Sequence, residues 1–421
     1  MTLRIRWEWD KKWEKWLVCQ KNMVKFADGS LLPYNTLNNM KLLRIFACCS
    51  AIGLFLDLVL SGCASRPNNS EVEVMRVPDL TQTETAVESG LFDRFEPIVL
   101  ETNDSSFVTM IRKAEVRNDT VFILDKTRHI VLEFGMDGHF LGNIGKVGDG
   151  PGEYTHAYSF ALNPEKNMIS LVIPFGFLYN FDLNGNFIDK IKLPTKNNYH
   201  DAAWLNGDLI VLWSSVDEDM PAISVYDMNR KESVYDAWHK QREINRGIIN
   251  TLFCYDGDVY LGTTYLNEVY KIDAANLQPV YAWDFGEKNV DMSYFDEIKT
   301  YSGRERSQKF SNDRRAGILS HTKLQHLAND RYRFVEIYTG GYGNGKKVDR
   351  KMIFYDRANG KSSVFDGLLS KSDIAIRYMN DDYVLAEIME RDLDACQEAF
   401  GWDLDVADDD NPVLVKMYFK K

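Results

Sequence analysis

From about residue 114 onward the chain repeats itself. The stretches "AEVRNDTVFILDKTRHIVLEFGMDGHFLGNIG", "NMISLVIPFGFLYNFDLNGNFIDKIKL", "AAWLNGDLIVLWSSVDEDMPAISVYDMNRKESVYDAW", "LFCYDGDVYLGTTYLNEVYKIDAANLQPVYAWDFG" and "LQHLANDRYRFVEIYTGGYGNGKKVDRKMIFYDRANGKSSVFD" share one plan. Each has a turn rich in Asn, Asp and Gly, a strand, a loop, a strand ending in an aromatic residue and Asp, a second turn and a last strand. The second turns fall at Asp137, Asn184, Asn229, Ala275 and Asn359, with gaps of 47, 45, 46 and 84 residues. The last gap is one period plus an insertion. A period in the forties with four strands per unit is the signature of a β-propeller.

A sixth unit starts with "IAIRYMNDDYVLAEIME", is interrupted, and resumes as "PVLVKMYFKK". It is one strand short. The strand "FEPIVLE" at 95–101 stands unassigned at the other end of the domain, and pairing it with the sixth unit closes the ring and removes the open edges. The fold class expected is therefore all-β: a six-bladed β-propeller of four-stranded antiparallel blades over 91–421. An N-terminal strand completes the last blade, and two mainly helical insertions lie at about 287–323 and 391–411. The first insertion is basic (Arg304, Arg306, Lys309, Arg314, Arg315) and the second acidic. Charge pairing between them is one expectation, a lid or docking surface the other.

Ahead of the propeller, Lys41 and Arg44 precede an apolar run from Ile45 to Leu60, interrupted by Asp57. Positive charge followed by an apolar segment too short to span a bilayer is the plan of a secretory signal. Such a signal begins at Met40, so residues 1–39 are read as an upstream extension from a mis-assigned start. The alternative is a cytoplasmic tail before an uncleaved anchor. Residues 63–90, polar and holding Pro67 and Pro78, read as a flexible tether.

Charge excludes one partner class. Nine of the 50 Lys/Arg and five of the 62 Asp/Glu lie in residues 1–62, which leaves 41 basic and 57 acidic residues and a net charge of −16 from Cys63 on. Such a surface repels phosphate backbones, so nucleic acid is not expected as a partner. Past Cys63 the cysteines are Cys254 and Cys396, read as buried thiols, and no CxxC pair suggests zinc.

The segment Leu60-Ser61-Gly62-Cys63 resembles a bacterial lipobox, which implies cleavage before Cys63 and a membrane anchor through a lipid on it; a plain signal peptide is the other reading. The repeats, above all "FILDKTRHIVLEFGMDGHFLGNIG" followed by "GDGPGEY", resemble the six-bladed propeller lipoproteins of Bacteroidetes, related to NHL-type and TolB-like propellers. The resemblance covers about 91–421 and implies a fold, with no activity attached. Without an acidic cluster after Cys63, it implies an outer-membrane lipoprotein facing the periplasm, with surface display as the other outcome.

Two places invite a functional reading. "GDGPGEY" at 148–154 is glycine-dense enough to cradle a phosphate, yet no helix follows it, so a plain connection between blades is expected. Aligning the blades on their first turns places Arg112, His156, His200, Asn250, His321 and Asp373 at the starts of the innermost strands, around one mouth of the central channel. Three histidines in equivalent slots (His156, His200, His321) suit a divalent metal or acid–base chemistry. Lactonase-type propellers also use Asn and Asp there, but with a glutamate that the first position lacks. No G-x-S-x-G motif is present. A non-catalytic binding or scaffold role for a glycan, peptide or envelope protein is therefore expected, aided by Phe175, Tyr265, Tyr338 and Tyr342 on mouth-side loops. The alternative is a metal-dependent hydrolase or lyase at the ring.

Overall fold

Runs such as 121–124 "VFIL", 171–173 "LVI" and 209–213 "LIVLW" are apolar at consecutive positions. A strand with one wet face alternates instead, so these strands must be covered on both sides. The computed structural model describes residues 72–193, 199–214, 221–239, 251–340, 349–370 and 372–421, plus two short paired strands at Val24–Lys25 and Leu31–Leu32. It shows what covers them. Six antiparallel sheets of four strands, here blades 1 to 6 with strands A to D from the axis outward, are arranged as a propeller. Blade 1 spans Ile111–Asn143, blade 2 Ser159–Lys192, blade 3 Tyr199–His239, blade 4 Leu252–Asp284 and blade 5 His321–Gly367. Every neighbouring pair of blades shares one apolar cluster. Phe122 and Leu124 of blade 1 meet Phe160 and Leu171 of blade 2, and Phe334 and Phe354 of blade 5 meet Ile376 and Val384 of blade 6. Six such clusters go round the ring.

Blade 6 closes as the sequence predicts. Its strands A to C are Ile374–Met379, Tyr383–Ile388 and Val413–Phe419, and Phe92–Val99 pairs antiparallel with the last of these as strand D. Ile98 and Leu100 then join the cluster shared with blade 1. The seam is reinforced at the first hairpin of blade 1. Gly138, at φ +88°, brings its backbone so close to Val99 that a Cβ would lie 1.9 Å from the Val99 oxygen, and Glu101 N–H donates to Gly138 O at 2.8 Å. Only glycine fits that approach.

The segment before the seam departs from expectation. Residues 72–90 are not a free tether. Glu73–Arg76 adds to blade 4 as a fifth strand, parallel to 281–284, and Glu84–Thr85 adds likewise to blade 5. Met75, Val77 and Ala86 are buried. The outer strands of both blades offered unpaired edges, and this segment covers them.

The insertions are helical. Ser293–Ile298 and Gly303–Ala316 fold back to bury Phe295, Ile298 and Phe310 with Tyr265 and Leu319. Leu393–Phe400 buries Leu393 and Cys396 in the cluster between blades 5 and 6. Their ion pairs include Lys309 with Asp313 at 2.9 Å and Lys299 with Asp296 at 3.3 Å within the first insertion, and Arg391 of the second with Asp373 at the start of blade 6.

Candidate functional site

The "GDGPGEY" loop supplies its own anion. Lys146–Val147 pairs in parallel with Glu153–Tyr154, and the Glu153 carboxylate accepts the Gly150 N–H at 2.9 Å. Tyr154 is buried and donates to Ile144 O at 2.9 Å. A loop whose amide is already held by an internal carboxylate has no cradle left for phosphate, so it connects blades and braces them.

The expected ring is divided by its contacts. Arg112 and His200 are the extra residues of β-bulges in strand A of blades 1 and 3, a device that re-aims a side chain. His200 stacks on Tyr158 (centroids 5.2 Å), Tyr158 meets His156 edge-on (4.9 Å), and His156 stacks on His129 (3.5 Å). Burial, then the nearby Arg112, pushes His129 below the usual histidine range; burial, His129 and Arg112 do the same to His156. His129 was not foreseen, because it lies in the B–C loop of blade 1 at φ +58° and not on an inner strand. His321 belongs elsewhere. It is buried against Phe285 (4.4 Å), with Nδ1 3.0 Å from Lys288 O. Asp373 is held by Arg391, and Asn250 lies outside the described residues. Among the described residues no group of three or more His, Cys, Asp or Glu is gathered to hold a metal ion. Of the aromatics, Phe175 is 72% exposed, Tyr265 is core under the helices, and Tyr342 lies outside the described residues.

The concavity built by all six blades is at the other end of the channel, on the face of the A–B turns. It has a volume of about 400 Å³ and is walled by strand A of every blade, among them Glu115, Ala161, Trp204, Cys254, His326 and Arg377. Cys254 is exposed in area, yet burial and the charges of Glu115 and Asp201 push its thiol up to about 12. The side chain faces a narrow space with protein on every side. The expectation of a core thiol fails for Cys254 and holds for Cys396.

A polar network crosses the channel between these two ends. Asp201, buried in blade 3, accepts Ser159 Oγ–H of blade 2 at 2.6 Å, and the Thr251 and Leu252 N–H groups entering blade 4 at 3.0 Å each. Lys113 of blade 1 donates to Phe160 O at 2.8 Å and pairs with Glu115 at 2.9 Å and Asp201 at 3.5 Å. Burial works against the lysine's charge, but Glu115 and Asp201 outweigh it and raise its pKa. Four blades thus share one carboxylate, which fixes the spacing of the inner strands where apolar packing is thinnest. Arg377 of blade 6 is tied to Glu387 behind it, with Nε at 2.8 Å.

The inner strands carry a signal that could have pointed here. Lys113, Glu115 and Arg117 are charged at alternate positions of one strand, which requires that face to be wet. In a blade whose faces are otherwise covered, the wet face is the channel.

Comparison with known proteins agrees with this architecture. A crystal structure of a Bacteroides fragilis NCTC 9343 protein described as exported superposes with a TM-score of 0.66 at 17% identity, covering 83% of this chain and 100% of its own. A member of the DUF4221 family from Bacteroides vulgatus ATCC 8482 superposes at 0.50 and 9% identity, covering 78% and 97%. At such identities the likeness concerns the fold alone. No curated protein matches the sequence. The family model described as "Domain of unknown function (DUF4934)" matches residues 73–418, from the first added strand to the end of the last blade, and the chain belongs to that family.

Proposed function

We propose that this protein is a non-catalytic binding module of the cell envelope that takes a ligand into the channel cavity on the A–B turn face. One observation carries the reading: all six inner strands converge on a space of about 400 Å³, within the ~300–1,000 Å³ range of small-ligand sites. Its wall mixes aromatic, acidic, basic and amide side chains. Among them His326 is fully buried with neither ring nitrogen hydrogen-bonded, and Gln325 Nε2 is also unpartnered. The Arg112, His156 and His200 group on the opposite face, drawn together with His129, is a second point of contact for a larger partner.

Envelope placement is supported by the signal-like segment before Cys63 and by the likeness to a protein described as exported. In this reading a lipid on Cys63 anchors the chain to the outer membrane with the propeller in the periplasm. The test is a thermal-shift panel of peptides and glycans on the full chain and on Cys254→Trp, which fills the cavity without entering an interblade cluster. A ligand that raises the melting temperature of the wild type and not of Cys254→Trp supports the site. Ligands that shift both proteins equally refute it.

A further inference from the structure

The charges around the cavity are unevenly partnered. Its wall holds three cations and four carboxylates: Lys113, Arg117 and Arg377 against Glu115, Asp256, Asp330 and Asp381. Two cations are neutralised, Lys113 by Glu115 and Asp201, and Arg377 by Glu387. Arg117 is turned onto the carbonyls of Asn163 and Lys166. Asp330 accepts Tyr255 O–H at 2.6 Å and Asp381 accepts the Asp330 N–H at 2.9 Å, both neutral donors. Among the described residues, Asp256, Asp330 and Asp381 have no cation within ion-pair distance, so the mouth keeps an excess of negative charge.

Deeper in the wall the unpartnered polar groups are the Gln325 amide nitrogen, a donor, and the ring nitrogens of His326. His326 is packed parallel to Phe253 (centroids 6.2 Å apart), so close to blade 4 that a Cβ on Gly262 would lie 2.2 Å from its Cδ2. Burial there, and then Lys323, pushes its pKa down to about 3, so the imidazole is neutral and one ring nitrogen is an acceptor without a donor. Tyr378 adds aromatic surface to the same wall, and Tyr255 already holds the Arg333 guanidinium 4.8 Å from its ring centre, while Phe253 is buried in a stack with Tyr260 and His326. Aromatic rings behind a carboxylate mouth are the arrangement that holds an organic cation, by charge at the entrance and ring quadrupole within. The carboxylates continue over the A–B turns of the neighbouring blades 1 and 6 at Asp119 and Asp382, outside the cavity wall, where a peptide segment carrying the cation would pass.

We propose that the cavity receives a lysine or arginine side chain presented on a peptide segment of a partner protein. The proposal rests on the reading of the cavity as the binding site and adds the class of ligand.

The probes are a short serine–alanine peptide with one central arginine, the same peptide with glutamine or glutamate there, free agmatine, and a neutral disaccharide. Each is titrated by calorimetry into the full chain, Cys254→Trp, and the triple variant Asp256→Asn, Asp330→Asn, Asp381→Asn. Asparagine keeps the shape and turn geometry, and circular dichroism checks the fold. The arginine peptide should bind at least tenfold more tightly than its glutamine counterpart. Each removed carboxylate should weaken it about threefold, a modest exposed ion-pair contribution, and rising salt should weaken it further. Cys254→Trp should abolish binding. Equal binding of the glutamine, glutamate or sugar probe, lost in Cys254→Trp, overturns the ligand class and leaves the site standing. Agmatine binding as tightly as the peptide overturns the peptide source. Binding that survives Cys254→Trp, or no binding by any probe, overturns both the ligand class and the site.

Discussion

Replacing Met75 by alanine separates a tether from a structural strand. In a tether the change is silent. In this structure Met75 is 0% exposed and lies in the cluster of Tyr281, Trp283 and Phe285 of blade 4, while Val74 beside it is 47% exposed. Truncating a buried methionine to alanine costs about 2–5 kcal/mol. The strand is at the edge of its sheet and can relax into part of the space, so the lower half, about 2–3 kcal/mol, applies. The compact unit runs from Val72 to Lys421, and an unfolding entropy of about 2.1 cal/mol/K per residue over its length gives roughly 0.7 kcal/mol/K. The melting temperature should fall by about 3–4 °C. Differential scanning calorimetry of Met75→Ala beside Val74→Ala reads this directly, with Val74→Ala expected within about 0.5 kcal/mol of wild type. If the two variants melt together, the fifth strand of blade 4 contributes nothing and the reasoning fails.

Two further outcomes are expected. Glu133, buried in strand C of blade 1 with Oε1 unpartnered, has its pKa raised to about 7 by burial and then by Asp182, from an ordinary 4.5. The folded state therefore holds a proton that the unfolded chain releases, and stability drops as pH climbs from about 4.5 through 7. Glu133→Gln removes that loss, so at pH 8 it should be about 1–2 kcal/mol more stable than wild type in urea titrations, discounted for partial solvent contact, with no gain below pH 4.5. A gain that is flat with pH would show that Glu133 does not titrate in this way. Deleting residues 92–99 opens blade 6 and strips Ile98 from the cluster shared with blade 1. The domain should lose its cooperative thermal transition, and a truncated protein melting like the full chain would disprove the closure.

The period, the blade count and the closing strand are legible in the chain before it folds. All three rest on local signals: turn residues at fixed offsets, such as Asp137-Gly138 and Asn184-Gly185, and apolar runs that need cover on both faces. They read the same in every repeat whatever the neighbours are. Residues 72–90 escaped this logic because "EVMR" and "ET" are too short to look like strands, and they become strands only when the bare edges of blades 4 and 5 are beside them. The alternate charges of Lys113, Glu115 and Arg117 mark one wet strand face, but only the tertiary structure makes that face the wall of a cavity. Strand A carries a register shift in blades 1, 3, 5 and 6, between Ile111 and Lys113, Tyr199 and Asp201, Lys323 and Gln325, and Ile376 and Tyr378. A shift of one residue moves every later side chain to the opposite face. Aligning the blades on their first turns picked out the starts of the inner strands and so one mouth of the channel, whereas the cavity lies at the ends of those strands, where Glu115, Cys254 and Arg377 line it and where the bulges of blades 1 and 6, which only the assembled blades reveal, set the facing of Glu115 and Arg377.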